Sequence, residues 1–253
     1  MTGLFDNRTY RVDIPEVELF SFTITVKETN LYIRTNNPRT QSVFDAVLSS
    51  RHSLEQYIAD NPQFAEAFSP VADDPLAPRF IREMIRDSRK CNVGPMAAVA
   101  GTIAEIAAWS LVKTHPDQGQ PAEAIVENGG DVYIISPVSR VVSLEWSMNE
   151  GKGGRVGIEI PPSPEGIGIS SSSGTFGHSL SLGGCDLATV VAKSGSLSDA
   201  AATALGNRIK SPEDIETQTA GICRIPGVLG VFVVVGGAIG IQGDIHLTAV
   251  GEG

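Results

Sequence analysis

The distribution of apolar residues along the chain changes its period several times, and these changes predict the secondary structure. Residues 20–26 alternate apolar and polar side chains, a period of two that is typical of a half-buried β-strand. Short strands are predicted in the same way at 10–14 and 31–33. Residues 41–59 instead carry apolar side chains at helical spacing, and the Asn61-Pro62 pair ends that helix. The chain therefore passes from strands to helices near residue 40.

In the remainder of the chain, groups of helices and groups of strands follow one another. A short helix is predicted after Pro62, an amphipathic helix over 78–90, and alanine-rich helices over 97–112 and from about Ser198 to Ile209. Strands are predicted at 124–126, at 132–135, within 140–170 and at 186–191. Because strands are grouped with strands rather than alternating with helices, we expect an α+β fold with mainly antiparallel sheets.

The most apolar stretch, Val228 to Ile241, is interrupted by four glycines. It is shorter than the roughly 20 residues that a membrane-spanning helix needs, so two buried strands joined by a glycine turn are the better interpretation. Residues 1–11 contain no apolar core of a secretory signal. These features predict a cytoplasmic protein that is not inserted in a membrane.

Composition and charge narrow the classes of function. The 253 residues are 42% hydrophobic, enough for a core, and 29 Asp+Glu against 19 Lys+Arg give a net charge of −10. An acidic chain repels a polyanion, which argues against nucleic-acid binding. The densest basic run, residues 79–90, is interrupted by Glu83 and Asp87, and a solvated helix face is its simpler interpretation. Three widely spaced cysteines exclude a disulfide scaffold and a cysteine zinc site.

The first candidate site is the pair Asp199 and Thr203 in the second alanine-rich helix. Residues four apart lie on one helix face, so this carboxylate and this hydroxyl can share a hard cation such as Mg²⁺. Aspartate is also common in the first turn of helices, where it caps the backbone. From the spacing alone, capping is the simpler interpretation.

Two glycine-containing loops are further candidates. Paired glycines in Asn128-Gly129-Gly130-Asp131 allow close approach of the backbone to a ligand, but they equally suit an ordinary hairpin turn. The second loop offers hydroxyl and N–H groups that suit phosphate oxygens, and its His178 could act as a general base. The alternative interpretation of this second loop is a flexible linker. The residues of this loop taken as candidates are Ser172, Ser173, Gly174, Thr175 and His178.

Together these patterns resemble the ApbE-like superfamily, whose members include Mg²⁺-dependent flavin transferases. The resemblance rests on the alanine- and glycine-rich helix after residue 95, on Gly129-Gly130-Asp131, on Ser173-Gly174, and on Asp199 with Thr203. The runs VGPMAAVAGTIAE, ENGGDVYI, SSGTFGHSLSLG and SDAAATALGN look more closely like a small, functionally uncharacterised prokaryotic family of that superfamily. This closer match extends from Tyr10 to Val250.

The resemblance implies a fold and a ligand. The expected architecture is T-fold-like, a single two-lobed domain over 1–253 with two related α+β units and a helical insertion at about 40–91. Asp199 and Thr203 are then expected to bind Mg²⁺, and the two loops to bind FAD or a related nucleotide. The chain departs from the transferases where Ala100 replaces the lysine of a Lys-Gly pair and where the motif after the Ser-Gly loop has no counterpart.

Three functions follow as hypotheses. The first is Mg²⁺-assisted binding or processing of FAD, FMN or a related phosphorylated cofactor, including transfer of FMN to an acceptor protein or hydrolysis of FAD. The second is a step of cofactor biosynthesis on a non-flavin substrate. The third is a non-catalytic protein that binds a ligand or serves as a scaffold.

Overall fold

Eleven strands and six α-helices are formed by residues 19–113, 122–147, 153–173 and 184–250, which the computed structural model describes. The strands are β1 Phe20–Val26, β2 Thr29–Thr35, β3 Ala124–Asn128, β4 Asp131–Ser136, β5 Arg140–Ser147, β6 Gly153–Ile160, β7 Ser163–Ser172, β8 Leu187–Ala192, β9 Val228–Val235, β10 Ala238–Gly243 and β11 His246–Thr248. The helices are α1 Thr40–Asp60, α2 Gln63–Glu66, α3 Arg79–Cys91, α4 Val99–Lys113, α5 Gly195–Arg208 and α6 Ile215–Cys223.

Eight of these strands form one antiparallel sheet in the order β1-β2-β3-β4-β7-β8-β9-β10. The other three form a small antiparallel sheet in the order β11-β6-β5. Each half of the large sheet is two hairpins with helices between them: α1–α4 separate β2 from β3, and α5–α6 separate β8 from β9. The α+β fold with mainly antiparallel sheets is therefore confirmed, while the common origin of the two halves stays a prediction.

The central strands of the large sheet are buried on both faces, whereas its edge strands β1 and β10 are largely exposed. Along β4, Tyr133 and Ile135 pack with the helices, whereas Val132 and Ile134 pack with the small sheet. This alternation follows from the period of two in a strand. Because both faces are covered, all six residues of β4 and all six of β8 are buried.

The expected helices form, with shifts at their ends. Helices α1 and α3 agree with the predicted 41–59 and 78–90 to within a residue or two. The apolar stretch after 228 forms two strands, β9 and β10, as predicted. Helix α5 begins at Gly195, three residues before the predicted start, because Ser194 is its N-cap and accepts a hydrogen bond from the Leu197 N–H. The strand predicted at 10–14 lies outside the described residues.

One helical stretch of the described residues, Pro95–Val112, is long and apolar enough to cross a membrane. Half of it is buried inside the protein. It packs against β3, β4, α1 and α5, which is the environment of a core helix in this fold.

Helix α3 is anchored to the start of α5 by the buried carboxylate of Asp87. Arg86 donates to both of its oxygens at 2.9 and 3.0 Å, Lys90 donates at 2.9 Å, and Ser196 donates across to it at 2.6 Å. Burial by itself raises the pKa of Asp87, but these hydrogen bonds outweigh burial and hold its pKa below the ordinary 3.8. The ionised carboxylate therefore stabilises the fold.

We expect Asp87→Asn to lower the free energy of unfolding by about 2 kcal/mol at neutral pH, because Arg86, Lys90 and Ser196 lose a charged acceptor. A lowered carboxyl pKa stabilises the fold above the unfolded-state value and stops doing so as the pH falls below it. The difference between wild type and variant should therefore shrink between about pH 5 and pH 3. Urea denaturation across this range measures it, with exposed Asp45→Asn as the control. A pH-independent difference would contradict the assignment.

Candidate functional site

A cavity of about 530 Å³ lies on the helix side of the large sheet, where its two halves meet. Its walls come from the β1–β2 turn, α1, the start of α4, the β3–β4 turn, the end of β7 and α5. The predicted site residues that line it are Asn128, Gly129, Asp131, Ser172, Ser173, Asp199 and Thr203. Residues from three separate motifs, up to 75 positions apart, thus meet in one cavity.

The Asn128–Asp131 motif is both a hairpin turn and a cavity wall. Asn128 pairs with Asp131 across the turn, and Gly129 and Gly130 have φ angles of 66° and 107°. These positive angles are those of a two-residue type I′ turn, which favours glycine. The Asn128 side chain donates to the carbonyl oxygen of Ala100 at 2.9 Å, fixing the turn against α4. Gly130 itself is not among the residues lining the cavity.

Asp199 does not cap its helix, so the capping interpretation is wrong. Ser194 is the cap, and Asp199 lies in the second turn of α5. Its Oδ2 accepts a hydrogen bond of 2.9 Å from the backbone N–H of Gly101 on α4. Asp199 and Thr203 share the helix face that lines the cavity, as their spacing predicts.

Ionisation of the two aspartates of the cavity is unfavourable in the folded protein. Burial raises the pKa of Asp131 to about 7, and the charge of Glu127 acts in the same direction. Burial and then the charge of Asp131 raise the pKa of Asp199 well above its usual value, although the Gly101 N–H opposes this. A cation beside these carboxylates would favour their ionised forms.

The serines at the end of β7 form the side of the cavity between the turn and α5. Ser172 is buried, and Ser173 donates to the carbonyl oxygen of Asp186 at 2.9 Å. Beneath them Ser170 and Ser198 are 2.8 Å apart, and Ser198 donates to the carbonyl oxygen of Gly195. These bonds tie β7 to α5. Gly174, Thr175 and His178, the remaining predicted site residues, lie outside the described residues.

Helix α1 contributes a wall that no sequence motif predicts. Arg51 lines the cavity, donates to Thr29 Oγ1 at 2.6 Å, and pairs with Glu28 and Glu55. Leu54 and Ile58 add apolar surface to the same wall. These residues sit in an ordinary amphipathic helix, so no local pattern separates them from other surface positions.

Helices α4 and α5 touch at two glycines. A Cβ atom on Gly101 would lie 2.1 Å from the carbonyl oxygen of Gly195 and 2.9 Å from Cβ of Asp199. The Asp199 carboxylate can therefore reach the Gly101 N–H only because α4 has no side chain here.

We expect Gly101→Ala to push the helices apart, lower the free energy of unfolding by about 1–3 kcal/mol and displace Asp199. Thermal denaturation measures the stability. Gly221→Ala in α6 is the matched control, because no atom lies within 4 Å of a Cβ there, and it should be neutral or stabilising. Equal loss in both variants would argue against the close contact.

The chemistry of the donors restricts the kind of metal. No group of three or more His, Cys, Asp or Glu side chains in the described ranges is placed to hold a metal ion. What the cavity offers is mainly oxygen: the carboxylates of Asp131 and Asp199, those of Glu28 and Glu55 that pair with Arg51, and several hydroxyls. Such a set suits a hard cation that takes its other ligands from water or a bound phosphate.

Comparison with known proteins agrees with this architecture. A family model described as "AbpE bacteria" matches residues 13–239. A UPF0280 protein of Methanococcus vannielii is 38% identical over 232 residues, which cover 88% of this chain and 92% of the relative. A UPF0280 protein of Methanopyrus kandleri is 40% identical over 200 residues, covering 78% and 77%.

Solved structures of similar fold are flavin transferases and a related ApbE protein. The apo flavinyl transferase ApbE of Pseudomonas stutzeri superimposes with a TM-score of 0.58 at 14% identity, covering 89% of this chain and 94% of that one. The ApbE protein of Thermotoga maritima gives 0.54 at 14% identity, covering 88% and 96%. At this identity the likeness shows the fold. The fold, the family model and the relatives agree that the chain belongs to the ApbE-like superfamily, within the family of UPF0280 proteins.

Proposed function

We propose that this protein binds a flavin nucleotide, FAD or FMN, together with Mg²⁺ in the cavity between the two halves of its sheet. The observation that carries the proposal is the pair of carboxylates, Asp131 and Asp199, held with raised pKa values in a cavity of ligand size. The family and the fold, shared with a flavinyl transferase, support the flavin as the ligand.

The donors fit Mg²⁺ better than a softer metal. Mg²⁺ commonly binds one or two carboxylates and completes its shell with water and phosphate oxygens. Asp199 and Thr203 would hold the ion from α5, with the Asp131 carboxylate near enough to raise the pKa of Asp199. When bound, Mg²⁺ would offset the negative charge of a diphosphate, which a chain of net charge −10 otherwise repels.

The other walls suit the remaining parts of a flavin nucleotide. Ser172, Ser173 and the Asn128–Gly129 turn offer hydrogen-bonding groups to phosphate and ribitol oxygens. The apolar wall, which includes Leu54, Ile58 and Met96, suits the flat ring system. The role of His178 as a base that takes a proton from an acceptor hydroxyl stays a prediction.

Any transfer reaction must differ in detail from that of the flavin transferases, because Ala100 stands where they carry lysine. We therefore place binding of the flavin nucleotide first and treat transfer of FMN, or cleavage of FAD to FMN and AMP, as the reaction to be tested. A cytoplasmic location belongs to the same proposal.

Calorimetric titration of the protein with FAD, in Mg²⁺ and in EDTA, tests the proposal. We expect the protein to bind FAD with micromolar or tighter affinity, and EDTA to weaken this binding at least about tenfold. Binding of riboflavin should depend less on Mg²⁺ than binding of FAD does. Thr203→Val should lose most of the Mg²⁺ effect, whereas Asp244→Asn, an exposed carboxylate outside the cavity, should retain it. Chromatography of the same samples detects FMN and AMP. No binding of FAD with or without Mg²⁺ would overturn the proposal.

A further inference from the structure

A second concave surface, of about 820 Å³, runs along α3 and shares no lining residue with the flavin cavity. We call it the α3 groove, and its lining residues are Asp73, Arg79, Arg82, Glu83, Arg86, Arg89 and Lys90. Five of these seven residues are cationic, in a chain whose net charge is −10. All five cations are exposed, as expected for the solvated helix face predicted from the sequence, and the structure adds that they line a depression.

The cations of the groove follow one face of α3. The four arginines are spaced three or four residues apart and Lys90 follows the last of them, while Ile81, Met84 and Ile85 on the other face are buried. Arg79 pairs with Glu83, and Arg86 and Lys90 pair with the buried Asp87. Arg89 donates to the carbonyl oxygen of Val71 at 2.9 Å and has no carboxylate partner among the described residues. Arg82 makes no ion pair within the part of the chain that the structure describes. Its guanidinium is available to an incoming anion.

The loop over residues 67–78, between α2 and α3, borders the groove and displays two large apolar side chains. Phe68 is 80% exposed and Leu76 is 94% exposed. The loop is held in place, because Arg89 bonds to Val71 and Tyr57 donates to Asp74 at 3.0 Å. Exposed apolar groups on a fixed loop cost hydration free energy and are typical of surfaces that bind a partner.

An adjacent recess of about 390 Å³ shares Asp73 with the groove. Tyr57, Phe64 and Val71 form its apolar lining. The groove and the recess meet at Asp73, and the loop that carries the exposed Phe68 and Leu76 contributes residues to both. Interfaces between proteins are enriched in aromatic residues and arginine in the same way.

We propose that the α3 groove and the loop 67–78 bind an acidic segment of a partner protein, and that this segment carries an apolar side chain beside its carboxylates. Arg82 and Arg89, which have no carboxylate partner among the described residues, would pair with the carboxylates, while Phe68 and Leu76 would cover the apolar side chain. A uniform polyanion such as nucleic acid fits less well, because Glu83 and Asp73 also line the groove. The proposal does not depend on the ligand of the flavin cavity.

Photo-crosslinking identifies the partner. The full chain with p-benzoylphenylalanine in place of Leu76 is expressed in its source cells and irradiated. The same replacement at Ile239, which is 53% exposed on β10, is the control. We expect an adduct with another protein at position 76, mapped by mass spectrometry to an acidic segment and lost in Arg82→Glu. An adduct with a second copy of the chain, an adduct with nucleic acid, or the same adducts as the control would overturn the proposal.

A labelled synthetic peptide of the mapped segment then gives the affinity. Arg82→Glu and the double variant Phe68→Ser/Leu76→Ser should each raise the dissociation constant at least about tenfold. The matched controls Arg39→Glu and Ile239→Ser, exposed positions outside the groove, should stay within about twofold. Melting curves of all variants exclude unfolding as the cause. Equal weakening by Arg39→Glu and Arg82→Glu would leave only a general charge effect and would refute the groove.

Discussion

Asp199→Asn should abolish Mg²⁺-dependent binding of FAD while making the ligand-free protein more stable. Asparagine keeps the oxygen that accepts from the Gly101 N–H, so the contact between α4 and α5 survives. The charge that would hold the cation is lost, and we expect affinity for FAD in Mg²⁺ to fall about 100-fold. Titration calorimetry measures the affinity and urea denaturation measures the stability.

The gain in stability has a definite dependence on pH. A carboxyl group whose folded pKa is raised destabilises the fold above its ordinary pKa, because the folded state must give up a proton that it holds tightly. Wild-type stability relative to Asp199→Asn should therefore be similar near pH 4 and lower by about 1 kcal/mol at pH 8. If Asp199→Asn binds FAD normally in Mg²⁺, or is less stable than wild type at pH 8, Asp199 is a structural residue.

Loss of the buried ion pair between Glu123 and Arg140 should cost more stability than any other change proposed. Glu123 precedes β3 in the large sheet and Arg140 begins β5 in the small sheet, and they are only 3% and 2% exposed. Arg140 Nη2 donates to Glu123 Oε2 at 2.6 Å, and Ser136 donates to the same carboxylate. Glu123→Ala leaves a buried guanidinium without its charge partner, so we expect a loss of about 3–5 kcal/mol in the free energy of unfolding.

A double replacement separates the cost of leaving one buried charge unpaired from the contribution of the ion pair itself. Glu123→Leu with Arg140→Met removes both charges and fills similar volume, and it should be clearly more stable than Glu123→Ala. Arg79→Ala, which breaks the exposed pair with Glu83, should change stability little. Denaturant titrations of all three variants decide the matter. A Glu123→Ala loss no larger than that of Arg79→Ala would show that the pair does not hold the sheets together.

The sequence was informative where a local pattern has one physical cause. The turn at Gly129-Gly130 and the two strands after Val228 form as predicted, because positive φ angles and the period of two act over a few residues. The face shared by Asp199 and Thr203 follows in the same way from helical spacing. These motifs predict both the fold class and much of the cavity wall.

The remaining wall depends on contacts between distant residues. Arg51 lines the cavity only because α1 packs on α4, and nothing within α1 distinguishes it from other exposed positions. Spacing alone favours a cap for Asp199 because the partner that it has in the structure, Gly101, is 98 positions away. The groove along α3 also depends on a contact between separate elements, because Asp73 of the loop 67–78 lines it, and the basic run of α3 alone does not predict it.

One peptide group connects three walls of the cavity on the helix side of the large sheet. The carbonyl oxygen of Ala100 accepts from Asn128 of the turn, and the N–H of the same peptide, on Gly101, donates to Asp199 of α5. The separation between the turn and the face of α5 that carries Asp199 and Thr203 is thereby fixed by the fold itself. We expect this preorganised spacing to make association fast. We also expect it to select ligands by their length, because the walls cannot close around a nucleotide that does not match the distance between the turn and α5.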